Sequence, residues 1–179
     1  QGEFSKIHGI LQTLQPALVY GSDAAVYGAP LVGCGVEGLV AVFSQGADEH
    51  AGALPFTPLL ATAETPAVRA AFDAVTPDTH AKYLLTSGST GQPKGVINTH
   101  RMLCANQQMY AQCYPFLEQE PPVLVDWLPW HHTAGGNSNL GLVLRNGGTM
   151  YIDEGKPIED GIAETVANLR EVSPTAIYT

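Results

Sequence analysis

Thr86-Ser87-Gly88-Ser89-Thr90-Gly91-Gln92-Pro93-Lys94-Gly95 is the stretch on which the reading of this chain turns. Its ten positions hold three glycines, four hydroxyls and one lysine. Glycines let a backbone turn tightly and bring its N–H groups close to an anion. The hydroxyls of Ser87, Ser89 and Thr90 add donors, and Lys94 supplies a point charge suited to phosphate oxygens. The apolar run Ala81-Lys82-Tyr83-Leu84-Leu85 before it predicts a buried strand, and Gly95-Val96-Ile97 after it predicts another. A loop of this composition between two strands is suited to holding a polyphosphate.

Two familiar alternatives fail on spacing. A nucleotide-binding P-loop needs Gly-Lys followed by Ser or Thr, but Pro93 stands directly before Lys94. A Gly-x-Ser-x-Gly nucleophile elbow needs three residues between its glycines, and Gly88 and Gly91 are separated by two. The remaining alternative is a flexible turn rich in Gly and Ser, and the fixed Pro93-Lys94 spacing argues against it.

The rest of the chain alternates strand and helix. Ser5 to Gln15 carries Ile7, Ile10, Leu11 and Leu14 at helical spacing, and Pro16 ends that helix. A strand is predicted over 17–20, then a helix capped by Ser22 or Asp23 and running towards Gly33, then a strand over 39–43. Residues 45–62 show neither period and read as a long surface connection. A short helix over 66–75 has Pro66 at its start. After the glycine-rich run, Thr99 caps a helix from His100 to about Cys113, with Met102, Ala105, Met109 and Cys113 along one face. Strands over 123–128, 149–152 and 175–178 and helices over 136–145 and 158–171 complete the pattern. Such alternation predicts an α/β fold, a mainly parallel sheet flanked by helices.

Composition sets limits on function. A net charge of -9 argues against a nucleic-acid partner, which calls for a basic face. No run approaches the roughly 20 apolar residues of a membrane span. Cys34, Cys104 and Cys113 form no Cys-x-x-Cys pair, and three unpaired thiols suit a reducing, cytoplasmic setting. Residues 1–4 read as a tag or cloning remnant.

The glycine-rich run resembles the phosphate-binding signature of the adenylate-forming superfamily: acyl-CoA synthetases, aryl-CoA ligases, luciferases and adenylation domains. A second resemblance lies at Leu128-Pro129-Trp130-His131-His132-Thr133-Ala134-Gly135, which is similar to the family's Pro-x-x-His element with His132 at the family histidine. Within the superfamily, residues 95–106 and 125–130 are most similar to feruloyl-CoA synthases. The resemblance is clear over about residues 80 to 157.

That resemblance implies part of the N-terminal domain of an adenylate-forming enzyme over 5–179. The family's later motifs and its small C-terminal domain are then expected outside the chain. It implies an ATP-dependent acid–CoA ligase acting on an aromatic, ferulic-type carboxylate, with ATP, Mg2+ and coenzyme A as cofactors. Thr86, Ser87, Gly88, Ser89, Thr90, Gly91 and Lys94 would bind the ATP phosphates, with Thr90 near the magnesium ion. His132 and Lys94 would act in catalysis. Ala134, Gly135, Gly136 and Ser138 would line the acyl pocket, their small side chains leaving space either for a ring or for closely packed backbone. His80, His100 and His131 read as structural. The expected partners are a small carboxylate and the missing C-terminal domain, with self-association of the chain alone and no thioester formed by it. Two other readings stay open: an adenylating enzyme for another acyl or amino acid, and a non-catalytic nucleotide-binding module. For an amino acid, Asp126 is a poor partner for the substrate amine, because it precedes the Pro-x-x-His element.

Overall fold

The computed structural model describes residues 4–87 and 93–177. Gly88, Ser89, Thr90 and Gly91 of the expected phosphate loop lie outside the described residues, as does Tyr178 of the last predicted strand. The chain divides into two compact units, Gln1–Val75 with Thr86–Gly95, and Thr76–Leu85 with Val96–Thr179.

The first unit opens with helix α1 (Ser5–Leu14), closed by Gln15 in the left-handed region at φ 47°. Strand β1 (Leu18–Asp23) comes next, and Asp23 ends it by capping α2 (Ala24–Tyr27), its carboxylate accepting the Ala25 N–H at 2.9 Å. The helix expected to run on towards Gly33 makes only this one turn and a 3-10 turn at Ala29–Leu31. Pro30 has no N–H with which to continue an α-helix. Strand β2 (Val40–Gln45) pairs in parallel with β1, Leu18 opposite Val40. Strand β3 (Leu54–Pro55) pairs in parallel with β2 inside the stretch expected to be unpatterned, since a two-residue edge strand is too short to show a period. Phe43 and Val42 are buried at the centre, with Ala24, Ala41 and Ala47 packed round Phe43. Helix α3 (Pro66–Asp73) is capped by Thr65, and Pro66 stands in its first turn as expected.

Strand β4 (His80–Ser87) pairs with β5 (Pro93–Thr99). In the second unit, helix α4 (His100–Cys113) starts at Thr99, whose hydroxyl accepts the Met102 N–H. The side facing the core is not the expected one. Met102, Ala105, Met109 and Cys113 are exposed, while Gln107 and Ala111 are buried. Opposite Gln107 the neighbour offers the carbonyls of Asn137 and Ser138, which call for a donor, while Tyr110 on the same side packs on an apolar cluster.

Strand β6 (Val123–Asp126) pairs in parallel with β7 (Thr149–Ile152), Val123 opposite Thr149 and Asp126 opposite Ile152. Between them come a π-helix (Ala134–Asn139) and helix α5 (Leu140–Asn146) in place of one regular helix. Helix α6 (Ile162–Val172) starts four residues later than its periodicity suggests and ends on Ser173, another left-handed residue at φ 51°. Of the last predicted strand, Ala176 makes a parallel bridge to Leu124. Leu124 and Leu142, each 1% exposed, centre this core with Leu117 and Val143. Burying one such leucine stabilises the fold by about 1.5–3 kcal/mol. The expected α/β class with parallel strands and flanking helices is the observed one, the ladders among the described residues falling into three short sheets. Among the described residues, no helix is long and apolar enough to cross a membrane.

Candidate active site

Asp126 ends β6 and anchors the loop beyond it. Its Oδ1 accepts the Leu128 N–H at 3.1 Å, turning the chain out of the strand, and accepts the Asn139 amide at 3.1 Å from the far end of the π-helix. Asp126 and Asn139 are both buried, so one carboxylate oxygen ties the start of the loop to the end of the helix it leads into.

His132 lies on this loop and is exposed. Its N–H donates to Pro129 O at 3.0 Å, and its carbonyl accepts the Gly136 N–H at 2.8 Å. The ring packs 4.7 Å from that of His131, centroid to centroid, at a tilt of 45°. Among the described residues no cluster of three or more His, Cys, Asp or Glu side chains could hold a metal ion. His80, read as structural, stacks edge-on against Tyr83 and shares a 2.7 Å hydrogen bond with the Tyr83 hydroxyl.

The small residues after His132 admit close backbone contact. A Cβ on Gly135 would lie 2.7 Å from Leu128 O and 2.8 Å from Pro129 O, and one on Gly136 would overlap Trp130 O. Of the two uses open to these glycines, the structure shows the second: at 135 and 136 they let the π-helix lie against the 128–130 backbone. Ala134 is exposed and Ser138 half-buried.

Side chains from distant elements complete the hold on the π-helix. The Lys82 ammonium on β4 donates to Gly136 O at 2.7 Å, and burial pulls its pKa below the ordinary lysine range. Gln107 on α4 donates to Asn137 O at 2.9 Å and to Ser138 O at 3.3 Å. The Asn137 amide donates to Asn98 Oδ1 at 2.9 Å and to Thr133 Oγ1 at 3.0 Å. Gln107 Oε1, Asp126 Oδ2 and Asn137 Oδ1 are buried acceptors without a partner among the described residues. Short π-helical turns are rare and concentrate at functional sites. The sequence reading missed Lys82, Asn98, Gln107 and Asn139. The available signal was Gly-Gly-Asn-Ser-Asn at 135–139, a run of poor helix formers inside a segment expected to be helical.

Of the expected phosphate-binding residues, Thr86 is exposed on β4, Ser87 ends that strand, and Lys94 is exposed on β5. Both strands therefore run further into the glycine-rich stretch than predicted. Thr86 and Lys94 belong to the first unit; in the second, Ala134, Gly135, Gly136 and Ser138 lie on the π-helix and His132 just before it.

A family model described as "AMP-binding enzyme" matches residues 31–179. The chain belongs to the AMP-binding enzyme family. Members of known activity share it only in part. A medium-chain-fatty-acid–[acyl-carrier-protein] ligase of Teredinibacter turnerae is 46% identical over 55 residues, 31% of this chain and 8% of its own length. A long-chain-fatty-acid–CoA ligase of Xenopus laevis is 32% identical over 95 residues, 52% of this chain and 12% of that protein. The chain thus spans about a tenth of these curated AMP-binding relatives. ATP-bound MatB from Rhodopseudomonas palustris superposes with a TM-score of 0.68 at 20% identity, over 98% of this chain and 32% of that one. McyG A-PCP complexed with phenylalanyl-adenylate gives a TM-score of 0.60 at 22% identity, over 93% of this chain and 23% of that one. At such identities these two likenesses speak for the fold.

Proposed function

We propose that this chain carries part of the active site of an ATP-dependent acid–thiol ligase that works through an acyl-adenylate. The observation that carries the reading is His132, exposed on the loop leaving the carboxyl end of parallel strand β6, in a chain of the AMP-binding family. Ligands of open α/β sheets sit at the carboxyl ends of strands. A carboxylate oxygen attacks the α-phosphorus of ATP and pyrophosphate leaves. The thiol sulfur of coenzyme A then attacks the acyl carbon and AMP leaves.

The protein's part in the first step is to bring together two anions that repel each other and to offset charge on the phosphates. In this reading Lys94 holds phosphate oxygens together with Thr86, Ser87, Gly88, Ser89, Thr90 and Gly91. Thr90 is the hydroxyl assigned to a magnesium ion. A ring N–H of His132 donates where carboxylate and α-phosphate meet. Ala134, Gly135, Gly136 and Ser138 border the acyl group, with Gly135 and Gly136 bringing peptide backbone there. An aromatic, ferulic-type acid is the proposed substrate. Fatty acids are the second choice, on the names of the curated relatives. Three free cysteines fit work in the cytoplasm.

Pyrophosphate exchange by the intact ligase, run with hydroxycinnamic and fatty acids, tests the reading. Lys94→Ala should weaken use of ATP by about 10- to 150-fold, the loss of one charge-assisted hydrogen bond. His132→Ala should lower kcat and kcat/KM together, because its contact is made in the transition state. Normal exchange in both variants would sink the proposal. Exchange with fatty acids alone would retain the ligase and replace its substrate.

A further inference from the structure

We propose that Lys82 is a positioning residue for His132, acting through the peptide groups of Gly136. The proposal rests on the role assigned to His132 in the proposed ligase. Gly136 is held at three points. Its N–H donates to the His132 carbonyl at 2.8 Å, its Cα faces Trp130 O too closely for any side chain, and its carbonyl takes the Lys82 ammonium at 2.7 Å. Two of those points belong to the loop that carries His132. The third comes from β4, 54 residues away in sequence.

A lysine on a strand ordinarily extends its charge into water. Lys82 instead gives its ammonium to a neutral carbonyl in a partly dry place. The ion pairs among the described residues involve Arg69, Arg101 and Arg145. A strong donor placed on one carbonyl fixes the orientation of that peptide. In the π-helix this matters more than in a regular helix, because Gln107 must hold the next two carbonyls at the same time. Asp126, through Asn139, fixes the far end of the helix. Lys82 therefore governs the near end, where the peptide links run straight to His132.

The test uses this chain for geometry and the intact ligase for rate. In Lys82→Met, amide exchange at Gly136 should speed up by about tenfold or more, with amides of α6 unchanged. The ring resonances of His132 should move, and Lys82→Arg should restore both. In the ligase, Lys82→Met should lower kcat by about 10- to 100-fold with KM for ATP little changed, the pattern of a misplaced catalytic group. Unchanged exchange at Gly136 and unchanged His132 resonances would overturn the proposal. So would a uniform rise in exchange across the second unit, which marks general destabilisation. If Lys82→Met does not fold, Lys82→Gln, whose amide is uncharged and one bond shorter in reach, should show the same faster exchange at Gly136 and moved His132 resonances in smaller measure, and parent-like values there would overturn the proposal. Normal pyrophosphate exchange in His132→Ala would remove the function assigned to His132, while exchange at Gly136 in the lysine variants still decides whether Lys82 positions the loop.

Discussion

Gly136 shows how little room one residue can have. Alanine there would push a methyl group into Trp130 O, and backbone cannot swing aside as a flexible side chain can. Gly136→Ala is expected to destabilise the second unit by about 1–3 kcal/mol, the usual cost of overpacking, measured by urea unfolding. A variant as stable as the parent would mean that the π-helix has slack. In sequence, the pair Gly135-Gly136 was legible as a request for space. What would occupy that space was not, since the carbonyls of residues 128–130 face them only once the loop has turned out of β6. Lys82 was hidden for a similar reason: its partner is 54 residues away and carries no side chain.

Asp153, just beyond β7, does for α6 what Asp126 does for the π-helix. Its carboxylate accepts the Gly155 N–H at 2.9 Å, the Thr165 hydroxyl at 2.7 Å and the Asn168 amide at 2.7 Å. Burial alone pushes the group up, but the bonds from Thr165, Asn168 and Gly155 outweigh it and hold the pKa below the ordinary 3.8. A lowered pKa means that the folded state favours the charged form. The contribution is therefore complete above 3.8 and is lost as the pH falls through the depressed folded value. Asp153→Asn is expected to cost about 1–3 kcal/mol at neutral pH and to flatten the acid limb of the stability curve, read by urea titrations across that range. An acid limb as steep as the parent's would place the pH dependence elsewhere. Elements with strong local signals were legible: Thr99 as the cap of α4, Pro66 at the start of α3, and the four residues of β7. The inward side of α4 was misjudged because it is mixed: Gln107 meets the carbonyls of Asn137 and Ser138, while Ala111 is buried and Tyr110 packs on the cluster of Leu117 and Leu142.

Across the whole chain, large apolar side chains stand in water on both units: Val32, Leu60 and Phe72 on the first, Leu144 and Ile152 on the second, each about two-thirds exposed or more. Exposed apolar surface on this scale drives association. The net charge of -9 opposes it by a repulsion that salt screens. Sedimentation is expected to give a weight-average mass above 18.9 kDa that rises with concentration and with salt. A mass fixed at the monomer value under all conditions would show these surfaces to be inert. The cysteines offer a chemical clock for the same question. Cys104 and Cys113 lie exposed on α4, and Cys34 is buried in the first unit. A thiol dye should therefore colour the chain in a fast phase of two sulfurs and a slow phase of one. Covering the side of α4 that carries Cys113, half a turn from Cys104, would move one sulfur out of the first phase and leave Cys34 alone, whereas opening of the first unit would quicken only the second.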